Sequence, residues 1–313
     1  MPKLLKKVIP SLLLAAIIAL LSFGGCSSSY TPSTMPWTGA APENLTQQQW
    51  QDIVSVTLEY FQHLDSYKVS VATSVSTDAA GGSNNWSRSL NTVVVGALNV
   101  TKEQGQMTKN VSVKMVGLGQ TGEEQNAYRD TYVRDNWIYT TMPNSTGGLT
   151  WIKVKTSDEL EGIFGYDTAE QQMQPLSLPA KIEYLKTEKV NNIDCYVLAI
   201  TPNKNELATW FSQQDTGFSN TDWQNTVNDT DALKDFNYTC YVAKDSYWVM
   251  RMDVTAIVEL TPEQVKVTSM GYEKISLTFN LSMMLYDHNV PSTISLPDGA
   301  DIAIENSSDI FLN

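Results

Sequence analysis

Apolar and polar residues alternate with a period of two along most of this chain, and this alternation restricts what the chain can fold into. Val69, Val71 and Val75 alternate with polar or small residues, and similar stretches recur as far as Leu285. A period of two places successive side chains on opposite faces of a β-strand. The connections between these stretches are too short for crossover helices. The sequence therefore predicts an antiparallel sheet of about eleven strands, the last of which is short and centres on Ile294 and Leu296.

About three helices are predicted to pack on one side of this sheet, so the expected fold class is α+β. The first helix runs from about Gln47 to Leu64, and Thr46 with Gln49 forms a capping-box pattern at its start. Apolar residues recur along this helix at a spacing that places them on one face. The other two helices are expected near residues 157–172 and 205–212.

The N-terminus has the three parts of a bacterial export signal. A lysine-rich start at residues 3–7 is followed by the apolar run Leu12–Leu21 and then by Gly24–Cys26. The apolar run would rise only about 15 Å as a helix, which is half of the membrane's hydrocarbon core. The Gly-Gly-Cys ending resembles a lipobox, in which the thiol is diacylated and the signal is cut just before it. We predict a signal peptide over residues 1–25 and a lipidated Cys26; a soluble secreted protein cut at the same place is the alternative.

The chain after the signal is predicted to consist of a tether and one folded domain. Residues 26–42 are rich in Ser, Thr and Pro and show no apolar periodicity, so we expect a flexible tether. Such a segment extends to at most about 50–55 Å. Residues 43–313 are predicted to form a single domain with a polar insertion near residues 213–235.

The protein is strongly acidic. Its formal net charge is −13, and removal of the three signal lysines makes it −16. This charge disfavours binding to nucleic acid and adsorption to anionic lipid headgroups. We therefore expect a cell-envelope protein that is held at the extracytoplasmic face of a membrane through its lipid anchor.

Two cysteines, Cys195 and Cys240, remain after Cys26. An exported protein experiences oxidising conditions, in which an even pair of cysteines forms disulfides. Each of the two stands near the start of a predicted strand and is followed by Tyr-Val, so we predict a bridge between neighbouring strands. The alternative is a pair of buried, unreacted thiols.

No motif in the sequence points to a catalytic residue, a cofactor or a metal site. Residues 117–122 match the glycine pattern of a dinucleotide-binding loop, but a strand follows where that loop needs a helix, so a turn is predicted. The acidic residues near 228–235 lack the spacing of a calcium loop and are expected to be solvated. His63 and His288 are the only histidines, and neither belongs to a metal-ligand spacing. A hydrolase using scattered carboxylates is the third functional candidate.

The layout of the chain resembles the LolA/LppX/LprG-like superfamily of envelope lipoproteins from about Gln47 to Ala300. The resemblance rests on the lipoprotein leader, on a first helix that runs into a strand, and on the meandering strands. Four segments add to it: Leu64–Val69, Val190–Leu198, Tyr241–Tyr247 and Ile294–Pro297. The superfamily implies a curved half-barrel sheet wrapped around helices, with an apolar cavity between them. Its known members carry acyl chains or lipoproteins without chemistry.

The apolar pattern and the resemblance together predict a cavity between the first helix and the concave strand faces. Its expected lining is Trp50, Ile53, Phe61, Leu64, Val69, Val71, Val94 and Leu98. A fully packed core is the alternative. We therefore predict a non-catalytic envelope lipoprotein that binds an apolar ligand, namely lipid or acyl chains. The alternative function is an interaction or sensor module that contacts an envelope protein or a cell-wall polymer through the concave sheet.

Overall fold

One helix and twelve strands make up the part of the chain that the computed structural model describes. The described residues are 43–81, 85–117, 120–144, 147–155, 173, 176, 179–202, 232–261, 263 and 272–305. This architecture confirms the α+β class and the antiparallel sheet. The predicted helices near 157–172 and 205–212 lie outside the described residues, as do the signal peptide, the tether and most of the polar insertion.

Helix α1 (Gln47–Gln62) begins where the sequence predicts and ends two residues earlier than predicted. The capping box is confirmed, because the Thr46 hydroxyl accepts a hydrogen bond from Gln49 N at 3.3 Å and Gln49 Oε1 accepts one from Thr46 N at 2.9 Å. These bonds satisfy amide groups that have no partner inside the helix. His63 is the exposed residue that follows the last turn.

The strands are long, and β1 and β4 each contain 15 residues, which extend about 50 Å. Strand β9 begins at Leu233, so the last residues of the predicted insertion belong to the sheet. The strands in chain order are β1 (Ser66–Ala80), β2 (Trp86–Asn99), β3 (Gln104–Gly117), β4 (Gln120–Arg134), β5 (Trp137–Pro143), β6 (Leu149–Lys155), β7 (Pro179–Val190), β8 (Ile193–Pro202), β9 (Leu233–Ala243), β10 (Val249–Leu260), β11 (Lys274–Tyr286) and β12 (Ile304–Glu305).

All strands belong to one open sheet that is built from two meanders. The order across the sheet is β12-β6-β5-β4-β3-β2-β1-β11-β10-β9-β8-β7. The meander β1–β6 therefore joins the meander β7–β11 through the antiparallel pair β1 and β11. The chain between β6 and β7 connects one side of the sheet to the other, and Met173 and Leu176 from this connection are each only 1% exposed.

Two hairpins use the tight turns that their polar residues favour. Asp135 and Asn136 have φ values of 55° and 62°, and Asn191 and Asn192 have values of 49° and 65°. Positive φ at both central residues defines a type I′ turn, whose twist matches that of the flanking strands. Asn and Asp tolerate this conformation better than most residues. These two-residue connections fix the register of β4 with β5 and of β7 with β8.

The glycine-rich segment at 117–122 lies where β3 returns into β4, which confirms the predicted turn. Gly117 has a φ of +92° and Gly122 a φ of +82°. A Cβ atom at Gly117 would lie 2.4 Å from the Asn85 carbonyl oxygen, so the close approach of β2 requires glycine here. The chain continues as strand β4, and the helix that a dinucleotide loop needs is not formed there.

The predicted last strand around Ile294 and Leu296 is wrong. Ile294 is only 2% exposed, so its apolar character reflects burial in an irregular segment rather than strand pairing. Asn99 Nδ2 holds this segment by donating to the Ser292 carbonyl at 3.2 Å. The last strand is β12, which pairs parallel to β6.

Candidate functional site

The two faces of the sheet differ in character. We call the face that α1 packs against the inner face, and the opposite one the outer face. On β10 and β11 almost every second residue is buried. Met283 of β11 lies opposite both Met252 of β10 and Val71 of β1, so the buried positions continue from one meander into the other. The inner face is therefore a continuous and largely apolar surface across the centre of the sheet.

The structure brings all eight predicted lining residues into a single apolar cluster. Six of them are less than 9% exposed, and Phe61 and Val71 are partly buried against the cluster. Val71 lies directly opposite Val94, which confirms the predicted strand faces. The six buried members are Trp50, Ile53, Leu64, Val69, Val94 and Leu98. That these residues line a ligand cavity stays a prediction.

Helix α1 contacts the inner face through aromatic rings near both of its ends. Trp50 stacks on Tyr184 with ring centroids 5.3 Å apart and meets the edge of Tyr196 at 5.4 Å. At the other end of the helix, Phe61 contacts Tyr67 at 5.7 Å. The 16 residues of α1 extend about 24 Å. The twelve strands, spaced about 4.8 Å apart, span about twice that length, so α1 covers only part of the inner face.

An apolar row crosses the inner face beyond the level at which Trp50 docks. Strand register places six residues side by side on six neighbouring strands: Phe236, Ala256, Phe279, Val75, Leu90 and Val113. Tyr184, which stacks on Trp50, is level with Met252 of β10 in the strand register. Ala256 lies four residues farther along β10, a distance of about 13 Å. The central members are buried, whereas Phe236, Leu90 and Val113 are half-buried. The apolar row is about 24 Å long and carries no polar side chain.

Two cations on the inner face were missed by the sequence predictions. Lys109 of β3 and Arg129 of β4 lie directly opposite each other, and Lys109 is only 3% exposed. Lys109 stands two residues after Met107 and two before Val111, which are both buried. That position in the alternation is the sequence signal that could have placed it on the inner face.

The predicted disulfide between Cys195 and Cys240 does not form, and both thiols are free and buried. Cys240 belongs to the inner-face cluster, whereas Cys195 packs with Val197 and Tyr241 on the outer face. A bridge would need both side chains on the same side of the sheet. Burial raises the pKa of Cys195 to about 11 and that of Cys240 to about 12, so both stay protonated near neutral pH.

His288 and Glu43 have structural partners. His288 Nε2 lies 3.0 Å from the Val249 carbonyl oxygen, the ring stacks on Trp248, and burial lowers the pKa of the imidazole. Glu43 accepts hydrogen bonds from Thr187 at 2.6 Å and from Lys244 at 3.0 Å, and these bonds lower its pKa to about 2. Among the described residues, no group of His, Cys, Asp or Glu side chains could hold a metal ion. Within the same part of the chain, no helix is long and apolar enough to cross a membrane.

Comparison with protein-family models shows to which family this chain belongs. Residues 49–301 match the model of DUF6612, which is described as a family of unknown function. The chain belongs to this family. No curated protein matches the DUF6612 chain significantly.

Several solved structures are similar to the DUF6612 chain at low identity. LprF from Mycobacterium bovis is 12% identical, with 83% of this chain and 99% of that chain covered and a TM-score of 0.41. The lipoprotein LppX from Mycobacterium tuberculosis is 11% identical, with coverage of 80% and 100% and a TM-score of 0.40. A DUF1329 protein from Desulfovibrio piger is 14% identical, with coverage of 79% and 94% and a TM-score of 0.22. At identities and TM-scores this low, these similarities transfer no ligand and no mechanism to this chain.

Proposed function

We propose that this protein is a membrane-anchored, non-catalytic lipoprotein of the cell envelope that binds an apolar ligand on the inner face of its sheet. The ligand class is a lipid, bound through its acyl chains. The apolar row is the observation that carries the proposal. Its half-buried ends, Leu90, Val113 and Phe236, present hydrocarbon on a surface that continues past helix α1.

The dimensions of the apolar row suit an acyl chain. One leaflet of a bilayer holds about 15 Å of hydrocarbon, half of the roughly 30 Å core, and the apolar row is about 24 Å long. Transfer of hydrocarbon from water onto such a surface is favourable by about 25 cal/mol for each Å² that is buried. Of the six apolar side chains in the row, such a chain would contact the half-buried ones, Phe236, Leu90 and Val113.

The N-terminal segment supports the same proposal. Lipidation at Cys26 would hold the body within about 50–55 Å of a membrane surface, the reach of the tether. The acidic body would not adsorb to anionic headgroups, so the anchor alone would determine its distance from the lipid source. A ligand could then move between the membrane and the inner face without a chemical step.

A polar substitution in the apolar row is expected to weaken binding of an apolar probe. Leu90→Asn places an amide at the half-buried end of the row, and we expect at least a tenfold loss of affinity for the fluorescent methyl ester of a fatty acid. Val93→Asn is the matched control, because Val93 lies on the same strand but is 42% exposed on the outer face. Fluorescence titration of the delipidated body measures both affinities.

Two results would contradict this function. One is wild-type binding that is no tighter than binding of the probe to an unrelated acidic protein. The other is an equal affinity loss in Leu90→Asn and Val93→Asn, which would locate no site on the inner face. Either result would leave the interaction or sensor module as the better interpretation.

A further inference from the structure

A row of uncharged polar residues crosses the outer face of the sheet. Strand register places seven of them side by side on seven neighbouring strands: Asn237, Thr255, Asn280, Ser74, Asn91, Ser112 and Asn126. We call this set the polar row. Six of its members are sequence neighbours of the six residues of the apolar row, so the polar row lies directly behind the apolar row. With strands about 4.8 Å apart, the polar row is about 29 Å long.

Asparagine and small hydroxyl residues alternate along the polar row. The four asparagines are all exposed and stand inside β9, β11, β2 and β4, so neighbouring asparagines are two strands, or roughly 10 Å, apart. Asparagine is depleted in strands, because a β-branched or aromatic residue suits the pleated surface better. Residues that oppose the local preference of their element are expected at functional sites. The regular placement of these amides therefore points to a ligand of the outer face.

The polar row offers hydrogen bonds without charge. Each amide has two N–H donors and a carbonyl acceptor, and each hydroxyl both donates and accepts. Because Asn280, Asn91 and Asn126 are exposed, their donors and acceptors are open to a partner. A ligand that suits this surface must itself carry many uncharged donors and acceptors along its length.

An exposed aromatic ring lies beside one end of the polar row. Tyr128 is 48% exposed and stands two residues after Asn126 on β4, about 7 Å along the strand. Its hydroxyl donates a hydrogen bond to Asp130 Oδ1 at 2.7 Å, which orients the ring. Four further aromatic residues, each partly buried, continue from it along the outer face of β4, β5 and β6: Tyr132, Trp137, Tyr139 and Trp151.

The polar row and the aromatic ring together match the chemistry of a sugar chain. The C–H bonds on one face of a pyranose ring pack on the electron-rich face of an aromatic side chain, and the sugar hydroxyls pair with amides and hydroxyls. The uncharged row gives an acidic polymer no partner, and the formal net charge of −13 repels one. The centre of a protein interface is mainly apolar, which the polar row is not.

We propose that the outer face binds an uncharged polysaccharide, which lies along the polar row and stacks on Tyr128. This site goes beyond the proposed function and does not depend on it. The two sites lie back to back on one sheet, so a ligand on one face leaves the other face free.

Isothermal titration calorimetry of the delipidated body with the hexamer of N-acetylglucosamine tests the inference. This probe is an uncharged chain of pyranose rings. It is expected to bind at least about tenfold more tightly than N-acetylglucosamine itself, because a single ring reaches only a small part of the polar row. Tyr128→Ala is expected to weaken hexamer binding about tenfold, whereas Tyr128→Phe keeps the ring and should bind like the wild type.

The contribution of the polar row is measured at its end on β4. Asn126→Ala removes one amide and is expected to weaken hexamer binding by about three- to tenfold. Gln125→Ala is the matched control, because Gln125 is also an exposed amide, is adjacent to Asn126 and lies on the inner face opposite Val113. This control should leave the affinity for the hexamer unchanged.

The outcomes separate this inference from the proposed function. Leu90→Asn should bind the hexamer like the wild type, and Tyr128→Ala should keep its affinity for the fatty acid methyl ester. No binding of the hexamer, or equal affinities of Asn126→Ala and Gln125→Ala, would overturn the inference and leave the lipid site intact. An equal loss in Tyr128→Phe and Tyr128→Ala would overturn the stacking on the ring. Polygalacturonate, an acidic polysaccharide, would contradict an uncharged ligand if it bound as tightly as the hexamer.

Discussion

Replacing Cys26 by serine is expected to move nearly all of the protein from the membrane fraction to the soluble fraction. The sulfur of Cys26 is the atom that would carry the diacylglyceryl group, and a serine hydroxyl cannot replace the thiol in lipoprotein maturation. Two acyl chains give stable anchoring, since each buried methylene contributes about 0.8 kcal/mol. Without them, a mature chain with a charge near −16 has no attraction to an anionic surface. Cell fractionation with detection of the protein in each fraction measures the shift.

Ser28→Ala is the matched control for this change, because it alters the tether next to the anchor and leaves Cys26 in place. It is expected to leave the protein in the membrane fraction. In Cys26→Ser, the mass of the mature protein should also be lower than that of the wild type by the mass of the acyl groups. Retention of Cys26→Ser in the membrane, with an uncleaved leader in both forms, would contradict the lipoprotein interpretation.

Trp50→Ala is expected to cost about 3–5 kcal/mol of the free energy of unfolding. Trp50 is only 4% exposed and contacts the rings of Tyr184 and Tyr196, which belong to β7 and β8. The substitution removes the largest side chain that joins α1 to this side of the sheet and leaves a cavity between the rings. Urea unfolding gives the free energy, and the melting temperature should fall by roughly 6–20 °C.

Trp137→Ala provides the control, since Trp137 is only partly buried and its ring is covered by the Lys153 side chain at 5.0 Å. Its cost is expected to be clearly smaller, because an exposed cation–π contact contributes about 0.5–1 kcal/mol. An effect of Trp50→Ala that is no larger than that of Trp137→Ala would show that α1 is not held on the inner face by this tryptophan.

The sheet and the first helix could be predicted because local patterns determine them. The capping box at Thr46 and the alternation around Val71 depend on residues close together in sequence, and the structure confirms both. The predicted strand near Ile294 failed because a short apolar pair looks the same in a strand and in a buried irregular segment. Partners distant in sequence, such as Ile152 opposite Ile304 in β12, leave no local signal.

The disulfide prediction failed because the same three-residue sequence faces opposite sides of the sheet in the two strands. Cys-Tyr-Val occurs at 195–197 and at 240–242. In β8 the tyrosine of the triplet faces inward, whereas in β9 the cysteine and the valine do. A shift of one residue exchanges the two faces of a strand, so identical letters do not specify a common side. Only the pairing of whole strands determines which cysteine faces which side.

The inner-face positions of Lys109 and Arg129 could not be predicted for a related reason. A lysine or an arginine in a strand is usually an outer-face residue, because burial of a charge is costly. Lys109 alternates in step with Met107 and Val111, which indicates the inner face. The face on which Arg129 lies is determined only by the pairing of β4 with β3. Residues that break the apolar pattern are where sequence patterns are least informative.

Native mass spectrometry of the body released from its own membranes shows directly whether the protein carries a lipid. A protease site in the tether allows release without detergent, so a bound ligand is retained. We expect additional species that exceed the polypeptide mass by the mass of a lipid. These species should persist in Val93→Asn and be lost in Leu90→Asn. A spectrum with the bare polypeptide mass alone, or lipid retained equally by both variants, would contradict ligand binding on the inner face.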